Sequence, residues 1–171
     1  MIKKKVVMLG AFAVGKTSLV QRFVHSIFSD KYLTTIGVKI DQKHISLKDQ
    51  DVTLMLWDLY GEDDFMKVKS NYLMGSSGYF LVADGTRSET IEAAEKLHDM
   101  AAVVTNNAPF ILLINKSDLT DLWEVSEERL NGLRNKGWNV IVTSARNNQN
   151  VDDAFYALTE QMIGQQTRPL S

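Results

Sequence analysis

The chain has 171 residues, 44% of them hydrophobic and 23% charged, and a formal net charge of −2 at pH 7. That length suits a single domain, residues 1–171, with a core of its own, and the charge gives no general attraction to nucleic acid or to an anionic membrane. The absence of cysteine excludes disulfides and thiolate metal sites.

No apolar stretch approaches the roughly 20 residues of a membrane span. The apolar run after Lys3-Lys4-Lys5 is broken by Gly10, Gly15 and Lys16, so it does not read as a signal peptide, and the cytoplasm is the expected compartment. Val6-Val7-Met8-Leu9 reads as a buried strand. Gly10-Ala11-Phe12-Ala13-Val14-Gly15-Lys16-Thr17 then fits the phosphate-loop pattern G-x-x-x-x-G-K-[ST] at every fixed position. The glycines let backbone N–H groups turn inward around phosphate oxygens. Lys16 brings a compact positive charge for the β- and γ-phosphates, and Thr17 a hydroxyl for Mg²⁺. Leu19/Val20 and Phe23/Val24 share a helical face, so a helix follows with its N-terminal dipole on the anion. The rival reading is an ordinary glycine turn between strand and helix; the correct flanks favour the phosphate loop.

Val38–Leu47 and Val52–Trp57 read as a hairpin across the polar turn Lys48-Asp49-Gln50-Asp51. Gly78–Ala83 and Phe110–Ile114 are unbroken apolar runs of the kind covered on both faces. Between them Ile91, Ala94, Leu97, Ala101 and Val104 recur at helical spacing, with Thr86 and Glu89 placed as a capping box. Ser126 is placed to cap a helix carrying Leu130 and Leu133, with Gly137 as its stop. Trp138–Thr143 gives a last strand, and Val151, Phe155, Leu158 and Met162 a last helix with Asn150 as cap. Alternation of helices with buried strands predicts a parallel-dominated sheet with helices on both faces. Ligands of such sheets sit beyond the carboxyl ends of the strands. The glycine loop, Asp58, Asp84, Asn115 and Ser144 all fall at those ends.

Two further signals carry chemistry. In Asp58-Leu59-Tyr60-Gly61-Glu62 the first carboxylate can hold Mg²⁺ through a water, and Gly61 can lend an N–H to a γ-phosphate. Alone, D-x-x-G also fits a turn that ends a strand. In Asn115-Lys116-Ser117-Asp118 the last carboxylate can accept hydrogen bonds from guanine N1–H and its exocyclic amine, which adenine does not offer. Asn115 would tie the loop together, with Lys116 along the base. Taken alone, such a stretch is more often a helix cap than a base pocket.

The set Gly10–Thr17, Thr35, Asp58–Gly61, Asn115–Asp118 and Ser144-Ala145-Arg146 resembles the Ras superfamily of small GTPases, in order and over nearly the whole chain. Thr35-Ile36-Gly37-Val38 and Trp57-Asp58 are most similar to the Rab group. The resemblance implies a P-loop NTPase fold, a three-layer α/β/α with six strands, five parallel and one antiparallel, in order 2-3-1-4-5-6. It implies GTP as substrate, GDP as product and Mg²⁺ as cofactor. It carries nucleotide contacts onto Ala13, Val14, Gly15, Lys16, Thr17 and Ser18 of the loop. It extends them to Asn115, Lys116, Asp118 and Leu119, and to Ser144, Ala145 and Arg146, with the Ala145 amide reaching guanine O6. Phe28 would pack edge-on against the base, Tyr32 would close over the phosphates, and Gly61 would touch the γ-phosphate. Thr35 would join Thr17 and the water-linked Asp58 at Mg²⁺ only when that phosphate is present. Lys16, Thr35, Gly61 and Glu62 are the implied catalytic set. Segments of about 27–38 and 58–74 would order with GTP and be read by effector proteins and by exchange or activating factors, the chain itself acting as a monomer.

Departures from the family pattern bear on mechanism. The usual second-switch Asp-Thr-Ala-Gly-Gln is here Asp58-Leu59-Tyr60-Gly61-Glu62. A glutamine amide donates and accepts, whereas an ionised Glu62 only accepts and adds charge beside an anionic transition state. The expectation is modest intrinsic turnover; the alternative is a guanine-nucleotide-binding module with negligible hydrolysis. Phe12, with Tyr60, would fill the space through which a partner's arginine enters; the alternative is that Phe12 simply lies on the surface. Arg146 stands where the family has lysine. A phosphotransferase on the same loop would need arginine-rich lid segments, which the sequence lacks, and would leave Asn115–Asp118 unexplained. With no cysteine in this sequence, the prenyl anchor typical of Rab and Ras proteins is not expected unless the natural chain runs on beyond Ser171, so recruitment to a membrane would run through a protein partner. His25, His44 and His98 lack metal-ligand spacing and are expected to pack or to face solvent.

Overall fold

The computed structural model describes residues 2–26, 37–60 and 70–167. In chain order the elements are β1 (Ile2–Gly10), α1 (Lys16–His25), β2 (Gly37–Leu47), β3 (Gln50–Tyr60), α2 (Ser70–Leu73), β4 (Gly78–Asp84), α3 (Glu89–Val104), β5 (Phe110–Asn115), α4 (Glu127–Asn135), β6 (Val140–Val142) and α5 (Val151–Thr167). A short 3-10 turn at Thr120–Leu122 lies between β5 and α4. The strands form one sheet of six in the order β2-β3-β1-β4-β5-β6. β2 is antiparallel to β3, and every other pairing is parallel. The order and directions are those that the resemblance implies.

The two-residue period of the strands builds the layers. From β1, Val6 and Met8 face one side, where Leu19, Phe23, Phe155, Leu158 and Met162 of α1 and α5 cover them. Val7 and Leu9 face the other, against Leu73, Ile91, Leu97, Leu130 and Leu133 of α2, α3 and α4. β4 divides the same way: Phe80 and Val82 go with the first group, Tyr79, Leu81 and Ala83 with the second. Every residue of β4 is buried, which is why its sequence shows no alternation.

The structure corrects several local expectations. The hairpin turn is only Lys48-Asp49, both at positive φ (51° and 62°), with Leu47 paired to Gln50. β3 therefore starts two residues earlier than the apolar run and carries Asp58 inside the strand, paired with Met8. The capping box at Thr86 and Glu89 does not form. Ser88 occupies the cap position, and the Thr86 hydroxyl donates instead to Asp84 at 2.7 Å. β6 shortens to three residues. Asn150 precedes α5 at φ 59° and spends its amide on the Val142 carbonyl at 2.9 Å. Ser126 caps α4 as expected, accepting from the Arg129 amide at 3.1 Å.

Candidate functional site

Gly10 closes β1 and Lys16 opens α1, so the glycine loop lies at the carboxyl edge of the sheet's centre. Close approach fixes both glycines. A Cβ on Gly10 would stand 2.4 Å from the Val82 carbonyl oxygen, and one on Gly15 2.2 Å from Asn115 Nδ2. Gly15 also sits at φ 103°, a region that side chains avoid. The loop carbonyls find donors within the protein. Lys16 Nζ donates to Gly10 O at 2.9 Å, Lys116 Nζ to Ala13 O at 2.8 Å and Asn115 Nδ2 to Val14 O at 3.1 Å. A further cation, Arg87, donates through Nη2 to Phe12 O at 2.6 Å. Across each planar peptide the N–H points opposite to the held carbonyl, so these donors fix the directions of the loop amides.

Next to the loop, Asp58 is 1% exposed. Its Oδ2 accepts from Thr17 Oγ1 at 2.5 Å, while Oδ1 is buried with no hydrogen-bond partner among the described residues. Burial pushes the Asp58 carboxyl up; the Thr17 hydroxyl and the Lys16 charge pull against that without cancelling it. An orphaned oxygen on a buried carboxylate, beside a hydroxyl and a phosphate loop, fits a hard divalent cation such as Mg²⁺. No group of three His, Asp or Glu side chains able to hold a metal occurs among the described residues. A cation here would need phosphate and water to complete its shell, which is how Mg²⁺ is commonly bound.

On the far side, Asn115 is 2% exposed and ties three segments together. Its Nδ2 holds Val14, and its Oδ1 accepts from Thr143 Oγ1 at 3.1 Å and from the Ala145 amide at 3.3 Å. Asp118 Oδ1 accepts from Ser144 Oγ at 2.8 Å, and the Asn147 amide donates to that hydroxyl at 3.0 Å. The Leu119 amide closes the turn onto Lys116 O at 3.0 Å. Arg22 of α1 clamps the last loop, with Nε on Ala145 O at 2.7 Å and Nη2 on Arg146 O at 2.8 Å. Asp84, 1% exposed, accepts from Lys116 Nζ at 2.9 Å and from Arg87 Nε at 3.1 Å. Burial alone would raise its carboxyl; Thr86 and Lys116 outweigh that and hold it below the usual range.

Ala13, Val14, Gly15, Lys16, Thr17, Asp58, Asn115, Lys116, Asp118, Ser144 and Ala145 therefore meet at one edge through direct contacts. Ser18 follows them in the first turn of α1. Arg146 joins through its carbonyl and is itself exposed. The Lys116 ammonium is held by Ala13 O and Asp84. Phe28, Tyr32, Thr35, Gly61 and Glu62 lie outside the described residues. Sequence reading does not single out Arg22, Arg87 or Thr143. The contacts of Arg22 lie 123 and 124 positions away and that of Arg87 lies 75 away, so no local pattern marks them.

A phosphate loop between the central strand and the first helix, a buried carboxylate two residues from the end of the next strand, and a polar loop after β5 define a P-loop nucleotide-binding protein. The family model described as Ras family matches residues 5–164. Relatives include Ras-related protein Rab-7b of Mus musculus, 35% identical over 164 residues (93% of this chain, 82% of the relative). Ras-related protein RABA4b of Arabidopsis thaliana is 36% identical over 160 residues (92% and 71%). Ras-related protein Rab-32C of Dictyostelium discoideum is 34% identical over 166 residues (95% and 74%). The chain belongs to the Ras family. It is a Rab-like small GTPase, a switch that binds and hydrolyses GTP with Mg²⁺ and engages effectors and regulators. No described helix is long and apolar enough to cross a membrane.

Proposed function

We propose that residues 1–171 work as one guanine-nucleotide domain, a cytoplasmic monomer whose single site is the edge described above. The observation that carries this reading is the buried, half-satisfied Asp58 carboxylate beside Thr17 and the phosphate loop. The amides of Ala13, Val14, Gly15, Lys16, Thr17 and Ser18 would line the phosphates. Lys16 would leave the Gly10 carbonyl for the β- and γ-oxygens, where its charge is worth more. Asp118, held by Ser144, would present its carboxylate to guanine N1–H and amine. The Ala145 amide, whose bond to Asn115 is long, would serve guanine O6; Leu119 and Arg146 flank the same pocket. Thr17 and a water on Asp58 would hold Mg²⁺, which neutralises phosphate charge when bound. Phe28, Tyr32, Thr35, Gly61 and Glu62 would complete the site from segments of about 27–38 and 58–74, Glu62 orienting the attacking water.

Base selectivity tests this assignment. Asp118→Asn puts a donating amide where the carboxylate accepts, so the variant should lose GDP and gain xanthosine diphosphate, whose 2-oxo group accepts. Buried polar mismatches shift such ratios by about a hundredfold or more. Calorimetry on stripped protein that shows unchanged preference for GDP would remove Asp118 from the base pocket.

A further inference from the structure

We propose that Arg87, anchored by Asp84, is a positioning residue that fixes the Phe12–Ala13 peptide for the bound nucleotide. The inference rests on the reading that Gly10–Thr17 cradles the phosphates. None of the described peptide bonds is cis, so the Phe12 carbonyl and the Ala13 N–H point in opposite directions from one plane. A donor on the carbonyl therefore aims the amide into the cradle. Ala13 itself sits at φ 62°, a left-handed conformation that its Cβ resists. The carbonyls of both its flanking peptides are held by cations: Phe12 O by Arg87 at 2.6 Å and Ala13 O by Lys116 at 2.8 Å. Both cations share a single oxygen, Asp84 Oδ2, at 3.1 and 2.9 Å.

Asp84 is rigidly placed. Its Oδ1 accepts from the Thr86 amide and hydroxyl at 2.8 and 2.7 Å, and its backbone amide donates to Thr90 Oγ1 at 2.8 Å. Arg87 is fixed in turn, its amide donating to Asp84 O at 2.9 Å and its carbonyl accepting from Thr90 Oγ1 at 2.6 Å. A guanidinium spans carboxylate and carbonyl with Nε and Nη2 at once, which an ammonium does not do in that fork geometry. Lys116 and Arg87 thus grip the two peptides about Ala13 from one buried anchor, and the φ and ψ of Ala13 are what that grip determines.

The test is dissociation of fluorescently labelled GDP, with Mg²⁺ present, from wild type, Arg87→Ala, Ala13→Gly and the double variant, alongside the ³¹P resonances of bound GDP. Losing the partly exposed charge-assisted bond to Phe12 O, together with the tie to Asp84, should speed release from Arg87→Ala about tenfold and move the β-phosphorus resonance. In the Ala13→Gly background, where the left-handed conformation is unstrained, the same substitution should cost about threefold or less. Arg87→Lys keeps the charge without the fork and serves where Arg87→Ala does not fold; it should release GDP about fivefold faster. Release within twofold of wild type with unmoved phosphorus resonances overturns the proposal. So does an equal factor in both backgrounds, which would mark Arg87 as a general support of the fold. Wild-type protein that takes up no GDP overturns the nucleotide-site reading beneath it instead.

Discussion

Asp58→Asn should make the nucleotide-free protein more stable and its nucleotide complex less responsive to Mg²⁺. The carboxylate is 1% exposed, with one oxygen bonded to Thr17 at 2.5 Å and the other without a partner among the described residues. An unsatisfied buried group costs about 1–3 kcal/mol, more when charged. Asparagine keeps the shape and a neutral bond to Thr17, giving up about 1 kcal/mol of the charge-assisted one, and puts an uncharged amide nitrogen where the orphaned carboxylate oxygen stood. The upward push of burial on this carboxyl says which effect is larger: its surroundings favour the neutral form. The net gain is up to about 2 kcal/mol, or up to roughly 8 °C in Tm at 2–4 °C per kcal/mol for a chain of this size. The same orphaned oxygen is the one suited to Mg²⁺ and its water shell. In wild type, Mg²⁺ added to GDP-saturated protein should raise Tm through mass action, and the variant should show little of that increment. Thermal melts of stripped protein, with GDP in EDTA and with GDP in Mg²⁺, separate the two effects. A nucleotide-free variant that melts below wild type, together with an intact Mg²⁺ increment, would refute the assignment of Asp58.

The loop glycine and a histidine distant from the site give further expectations. Gly15→Ala meets Asn115 Nδ2 at 2.2 Å at a φ of 103°, so strain and the broken Asn115–Val14 contact should together cost more than about 2 kcal/mol. Melts and GDP titration read this as a lower Tm and at least a tenfold weaker affinity. His98 lies against Phe110 and Trp138 and bonds Tyr79 Oη through Nδ1 at 2.9 Å. Burial lowers its pKa from 6.5, with Asp99 opposing and Lys136 assisting. The unfolded chain therefore binds that proton more tightly. The His98 contribution to stability is complete above pH 6.5 and declines as pH falls from there through the lower folded value. Denaturant melts of wild type against His98→Gln between about pH 7.5 and 5.5 should converge on acidification, and a constant gap would count against it.

The parts of this molecule legible in sequence are those whose cause is local. The phosphate loop is contiguous because one tight turn between strand and helix needs its two glycines, lysine and threonine at fixed short spacing, so Gly15 and its left-handed φ are readable in advance. Unbroken apolar runs announce β4 and β5 because both faces of these strands are covered. Element edges are less legible. Asp58 lies inside β3 because its backbone pairs with Met8 and Lys39, and a polar side chain gives no hint of that pairing. Thr86 leaves its expected cap because Asp84 is the stronger acceptor for its hydroxyl and amide.

The remaining, illegible share has a common physical origin. A phosphate cradle aims its amides inward and so turns carbonyls outward, where each needs a donor. The motif of the loop specifies one of these donors, Lys16 on Gly10. The others arrive from Arg87, Lys116 and Asn115, at the ends of β4 and β5 or just beyond. The same demand recurs in the last loop, where Ala145 and Arg146 turn their carbonyls to Arg22. Such donors need only reach a carbonyl, so many side chains at many positions would serve, and no fixed spacing results. Asn115 and Lys116 are legible because the base-binding pattern happens to contain them; Arg22 and Arg87 belong to no pattern. Donors to the loop carbonyls are accordingly set by the fold rather than by the motif, and Arg87, placed on the peptide that precedes an alanine at positive φ, is one of them.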